Sequence, residues 1–278
     1  MIGRRPWLLY GAMALGFAFL YVPILALVVY SFNASRLVTV WAGFSTHWYA
    51  ELAENERMLE AAWLSLRVAA LSASLALALG TLAGFVLARF GRFPGRLLFT
   101  GMVSAPLVIP EVISGLSLLL LFVGLEQLTG WPAERGMLTI VLAHTTFCMA
   151  FVTVIVQSRL TGMDRACEEA ALDLGARPVK VFCVITLPLI APALLSGWLL
   201  AFTLSLDDLV ITSFVSGPGS STLPMLVFSS VRLGVSPQIN ALATIVIGIV
   251  ATGIAIAYAV NQRHERRRVR AIAAAARA

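Results

Sequence analysis

Six stretches of this chain carry almost no charge: residues 6–35, 68–88, 97–125 with Glu111 as the one interruption, 136–158, 181–206 and 233–262. Their length leaves little choice of fold. About 20 apolar residues suffice to cross the ~30 Å hydrocarbon layer of a bilayer as a helix. In that medium every backbone N–H and C=O must find its partner inside the segment, so uninterrupted runs of this length are helical. Spanning helices are expected over residues 7–32, 63–88, 97–123, 137–158, 189–214 and 238–260, within an all-α transmembrane domain covering residues 1–262. Composition agrees: 59% of residues are hydrophobic and 12% charged, where soluble domains carry roughly a quarter charged.

The net charge of +6 raises the question of nucleic acid, and the placement of the basic residues answers it. They alternate from loop to loop. Arg4 and Arg5, then Arg89, Arg92 and Arg96, then Arg159, Arg165, Arg177 and Lys180, and finally the tail from Arg263 to Arg277 fall on one side. Arg36, Arg57, Arg67, Arg135 and Arg232 fall on the other, beside Glu51, Glu54, Glu56 and Glu60. The positive-inside rule then puts both termini in the cytoplasm and makes residues 263–278 a basic tail near anionic lipid. The first apolar run exceeds a signal-peptide core, so it is expected to stay as an anchor.

Enzyme chemistry has nothing to stand on. Lys180 is the sole lysine and Val181 follows it, so no Gly-Lys-Ser/Thr phosphate loop exists. His47, His144 and His264 are isolated, and the three cysteines Cys148, Cys167 and Cys183 lack metal spacing. No metal or cofactor is expected in this chain.

One charged interruption stands out, EEAALDLGARPVKVFCVITLP at residues 168–188. Glu168 and Glu169 suit a helix N-terminus. Gly175 suits a left-handed turn that ends that helix, and Pro178 suits the first turn of the next. A helix–turn–helix elbow over residues 159–188 is expected, its second arm (179–187) lying along the bilayer or against the bundle. Glu169-Ala170-Ala171, Gly175, Ile185 and Leu187-Pro188, at these spacings, resemble the EAA loop of ABC importer permeases at every motif position. The resemblance implies a cytoplasmic coupling helix that seats in a groove of an ATP-hydrolysing subunit. Glu168, Glu169, Ala170, Ala171, Asp173, Gly175, Ile185, Leu187 and Pro188 are then the expected coupling residues.

Residues 20–49, 105–122, 202–237 and 239–244 extend the resemblance to the putrescine/spermidine importer permeases, most closely those of the putrescine system. That implies a six-helix, type I ABC importer transmembrane domain in a bacterial inner membrane. It also implies a related permease as heterodimer partner, a cytoplasmic ATPase dimer carrying ATP and magnesium, and a periplasmic polyamine-binding protein. A permease for another small solute and a proton-coupled secondary carrier are the rival functions.

Acids at membrane depth cost at least ~2.5–3.5 kcal/mol on insertion scales, so each needs a reason. Glu111, Asp207 and Asp208 are candidates to line a cation pathway. Helical neighbours lie about 100° apart, so one of the two aspartates is expected to line the pathway and the other to pair with a polar neighbour or lie near the outer interface. The competing expectation is a structural pair, for example with Arg67. His144 is expected to be a satisfied core histidine, and Pro106 and Pro110 to distort the third helix.

Overall fold

The structure is a computed structural model that describes residues 6–37, 40–233 and 236–252. The basic tail at 263–278 and the last part of the expected helix 238–260 lie outside the described residues. Those described form α1 (Pro6–Tyr30), α2 (His47–Glu54), α3 (Glu56–Arg89), α4 (Arg96–Val108), α5 (Glu111–Thr129), α6 (Met137–Thr161), α7 (Ala166–Asp173), α8 (Pro178–Val181), a π-helical turn (Phe182–Thr186), α9 (Leu187–Leu206), α10 (Val210–Val215) and α11 (Leu223–Leu233). A further apolar helix, α12, occupies Pro237–Thr252. Among the described residues, five helices are long and apolar enough to cross a membrane: α1, α3, α5, α6 and the continuous stretch Pro178–Leu206.

The chain divides into two compact units, residues 1–56 with 229–278, and residues 57–228. In the first, α1 is apolar on all sides and its spanning window buries nothing within this chain. The loop after it folds on Asn33. The Asn33 side chain accepts from Ala42 N (2.9 Å) and donates to Val40 O (2.7 Å), while its carbonyl accepts from Trp48 Nε1 at 2.6 Å. Trp48 is buried, so it serves as this loop's core.

In the second unit α6 is the central helix. Its Cys148, Val152, Val156 and Leu160 join Ala73 and Ala76 of α3 and Ile190 and Ala201 of α9 in one apolar cluster. Ile140, Val141 and Ala143 of α6 join Val68, Phe122, Ile211 and Val215 in a second. Helix α3 approaches α6 closely at Gly80 and Gly84: a Cβ at Gly80 would sit 2.8 Å from Val152 Cβ, and one at Gly84 3.0 Å from Val156 Cβ. Association in lipid relies on such close packing, since lipid tails are as apolar as leucine.

Three expected helices differ in detail. The 97–123 helix is two helices, α4 and α5, because Pro110 has no N–H to continue the ladder and holds Ile109 extended at φ −75°, ψ 130°. The 189–214 helix breaks after Leu206 and resumes at Val210 as α10. The 63–88 helix starts earlier, so that α3 has 34 residues and runs about 51 Å at 1.5 Å per residue, well beyond a bilayer core.

Candidate functional site

The elbow is built from local signals. Asp164 Oδ1 accepts from Ala166 N at 3.0 Å and opens α7. Glu168 and Glu169 occupy its first turn. At the far end Gly175 has φ +82°, with Ala176 N donating to Ala171 O (3.0 Å) and Gly175 N to Leu172 O (2.9 Å). That pair of bonds is a Schellman stop, which favours glycine because the left-handed conformation crowds a Cβ. Pro178 then sits in the first turn of α8.

The second arm departs from expectation. It is no separate surface helix: α8 and the π turn run directly into α9. Pro188 explains the geometry. It cannot donate to the carbonyl of residue 184 and its ring crowds that carbonyl, so the ladder widens to a five-residue step in which Leu187 N bonds Phe182 O. Thr186 is buried, Ile185 and Leu187 are half-buried, and Pro188 is exposed.

Glu169, Ala170 and Asp173 are exposed and Ala171 is half-buried. Beside them Leu174 is 88% exposed and Val179 74% exposed. This face carries apolar and acidic side chains together. Glu168 is buried; its Oε2 lies 2.9 Å from Arg89 Nε.

The acids of the apolar runs separate into three environments. Asp208 is committed to the protein: its Oδ2 accepts from Thr212 N (2.8 Å), Thr212 Oγ1 (2.7 Å) and His144 Nε2 (3.1 Å), and its Oδ1 from Ile211 N (3.3 Å). It thereby caps α10 and ties it to α6. His144 is itself buried and shares its Nδ1 with Ser205 Oγ at 2.7 Å. Asp207 ends α9, is exposed, and its carboxylate has no side-chain partner among the described residues. Glu111 is exposed in the first turn of α5, where the helix dipole favours an acid. No hydrogen bond or ion pair joins these three acids among the described residues. Arg67 lies 4.8 Å over the Trp63 ring; the aspartate's partner is His144, a pairing that sequence reasoning missed because the two residues lie 64 positions apart.

The profile of the family described as "Binding-protein-dependent transport system inner membrane component" matches residues 76–270. The chain belongs to this family. It is a multi-pass membrane permease component. It is 62% identical over 274 residues to the "Putrescine transport system permease protein PotI" of Escherichia coli (strain K12), covering 99% of this chain and 97% of that one. It is 44% identical over 247 residues to the "Spermidine/putrescine transport system permease protein PotC" of the same strain, covering 89% and 90%. Among solved structures, a bacterial ABC transporter that imports alginate matches with TM-score 0.69 at 17% identity, covering 95% of this permease and 98% of that chain. The MetNI methionine transporter matches with TM-score 0.57 at 16% identity, covering 72% and 92%. Both likenesses establish the fold, a type I importer transmembrane domain.

Proposed function

We propose that this permease is one of the paired membrane subunits of an ATP-driven polyamine importer, with putrescine as cargo. The observation that carries the proposal is the 62% identity to a putrescine permease along 99% of the chain. A related permease completes the pathway, a periplasmic protein delivers the polyamine, and a cytoplasmic ATPase dimer with bound ATP and magnesium supplies the work. The basic loops favour an orientation with the elbow and both termini in the cytoplasm of a bacterial inner membrane.

The elbow is the docking element for the ATPase. Its support is the exposed, mixed face of Glu169, Ala170, Asp173 and Leu174, an apolar projection that water alone disfavours. Gly175, Ile185, Leu187 and Pro188 set the angle between the two arms. Along the pathway, Asp207 is the acid best placed to meet an ammonium group, because Asp208 is already saturated with donors. Glu111 is the second exposed acid. A carboxylate there replaces part of the hydration that the cation sheds.

The test is uptake of radiolabelled putrescine by proteoliposomes containing the complete importer. ATP-dependent uptake blocked by excess putrescine supports the function. Uptake of a different solute with no putrescine import refutes the cargo, and uptake that persists without the ATPase refutes ATP coupling.

A further inference from the structure

Two adjacent acids of the elbow differ in burial. Glu169 is exposed, whereas the Glu168 side chain is 12% exposed against an Arg89 side chain that is 8% exposed. Arg89 Nε lies 2.9 Å from Glu168 Oε2, and Arg89 Nη2 donates to Glu168 Oε1 at 3.2 Å. Thr186 Oγ1 donates to the same Oε1 at 2.8 Å, and Arg89 Nη1 donates to Leu160 O at 2.8 Å. One guanidinium and one carboxylate thus join the last residue of α3, the last turn of α6, the first turn of α7 and the π turn ahead of α9.

We propose that Arg89, Glu168 and Thr186 are the joint through which displacement of the elbow reaches the spanning helices. They are positioning residues that act through the elbow. The inference rests on the elbow being the ATPase-docking element. Glu168 is then unavailable to the partner, and the docking role falls to Glu169 and its exposed neighbours. The Nη2–Oε1 hydrogen bond fixes direction, and the short Nε–Oε2 approach adds charge attraction at fixed distance. Apolar contacts slide, but a buried ion pair cannot separate without stranding a charge in low dielectric. The joint therefore pulls as well as pushes. A second strut lies alongside it, Arg165 Nη2 donating to Ala88 O at 2.9 Å. A cavity of about 230 Å³ adjoins the pair, lined by Phe85, Leu172, Pro178 and Phe182 among others. That space gives the elbow room to tilt about the ion pair, which a close-packed contact would forbid.

The experiment measures putrescine imported per ATP hydrolysed by the complete importer in liposomes, alongside the yield of complex. Glu168→Gln and Arg89→Gln are each expected to lower the ratio about tenfold, within the usual span of coupling between sites. The swapped pair, Arg89→Glu with Glu168→Arg, is expected to recover part of it. Thr186→Val removes one donor without touching a charge and is expected to lower the ratio about threefold with normal yield. A wild-type ratio in all three single variants overturns the joint. So does loss of the ATPase from the two charge variants with a normal ratio in Thr186→Val, because that marks a scaffold. Failure of the underlying function is distinguishable: the unmodified chain would itself show no ATP-dependent import.

Discussion

Asp207 and Asp208 are neighbours of one type with different work. Asp208 accepts four hydrogen bonds, one from His144 and the rest from the first turn of α10. Removing it costs a helix cap, about 1 kcal/mol. It also takes the acceptor from the buried Thr212 amide and hydroxyl, at about 1–3 kcal/mol, and leaves His144 Nε2 with Thr212 Oγ1 at 2.9 Å as its remaining partner. Asp208→Ala is therefore expected to lower the yield and melting temperature of the purified complex before transport is measured. Asp207 has no such attachments. Asp207→Asn is expected to leave yield and melting temperature unchanged while slowing putrescine uptake, since only the attraction for a passing ammonium is lost. Normal uptake by Asp207→Asn, or unchanged melting of Asp208→Ala, would reverse the assignment.

At the scale of elements, the contact between α3 and α6 depends on what is missing. Gly80 and Gly84 lie one turn apart and leave room for Val152 and Val156. Any larger residue must push two spanning helices apart or force an unfavourable rotamer, at a cost of about 1–3 kcal/mol. Gly80→Leu is expected to reduce complex yield, whereas Gly101→Leu, on α4 with nothing of this chain within 4 Å, is expected to leave the packing of this chain unchanged. Thermal stability of the two detergent-solubilised variants checks both. Pro188 acts at the same scale by a different route: one additional residue in the π turn rotates everything before it by about 100° relative to a regular α-helix. The aim of the elbow is thus written partly into the spanning helix that follows.

Across the whole molecule, the sidedness of the charged loops decides how the chain sits in the membrane. The three cysteines report on it directly, for Cys167 is exposed on α7 and Cys148 is buried in α6. Cys183 is exposed too, on the π turn. A membrane-impermeant maleimide is expected to label Cys167 in inside-out vesicles and to leave intact spheroplasts unlabelled. Labelling of Cys167 from the outside would invert the topology and remove the elbow from the ATPase side.

Much of this architecture was legible in the residues alone, because the bilayer admits few solutions. Charge-free runs of spanning length must be helices, Gly175 must sit where a left-handed stop is needed, and the placement of arginines points to one orientation. The motif at 168–188 likewise declared its family. Other features depend on contacts between residues distant in the chain, which no local pattern encodes. The resemblance made Glu168 and Glu169 coupling residues alike, yet packing against Arg89 buried the first and left the second exposed. The adjacency of Asp207 and Asp208 showed that they must differ. Only the arrival of His144 from α6 decided which became the cap of α10. Local chemistry determines where a membrane helix can begin and end, but the low-dielectric interior makes every buried polar group seek a partner, and only the tertiary fold supplies that partner.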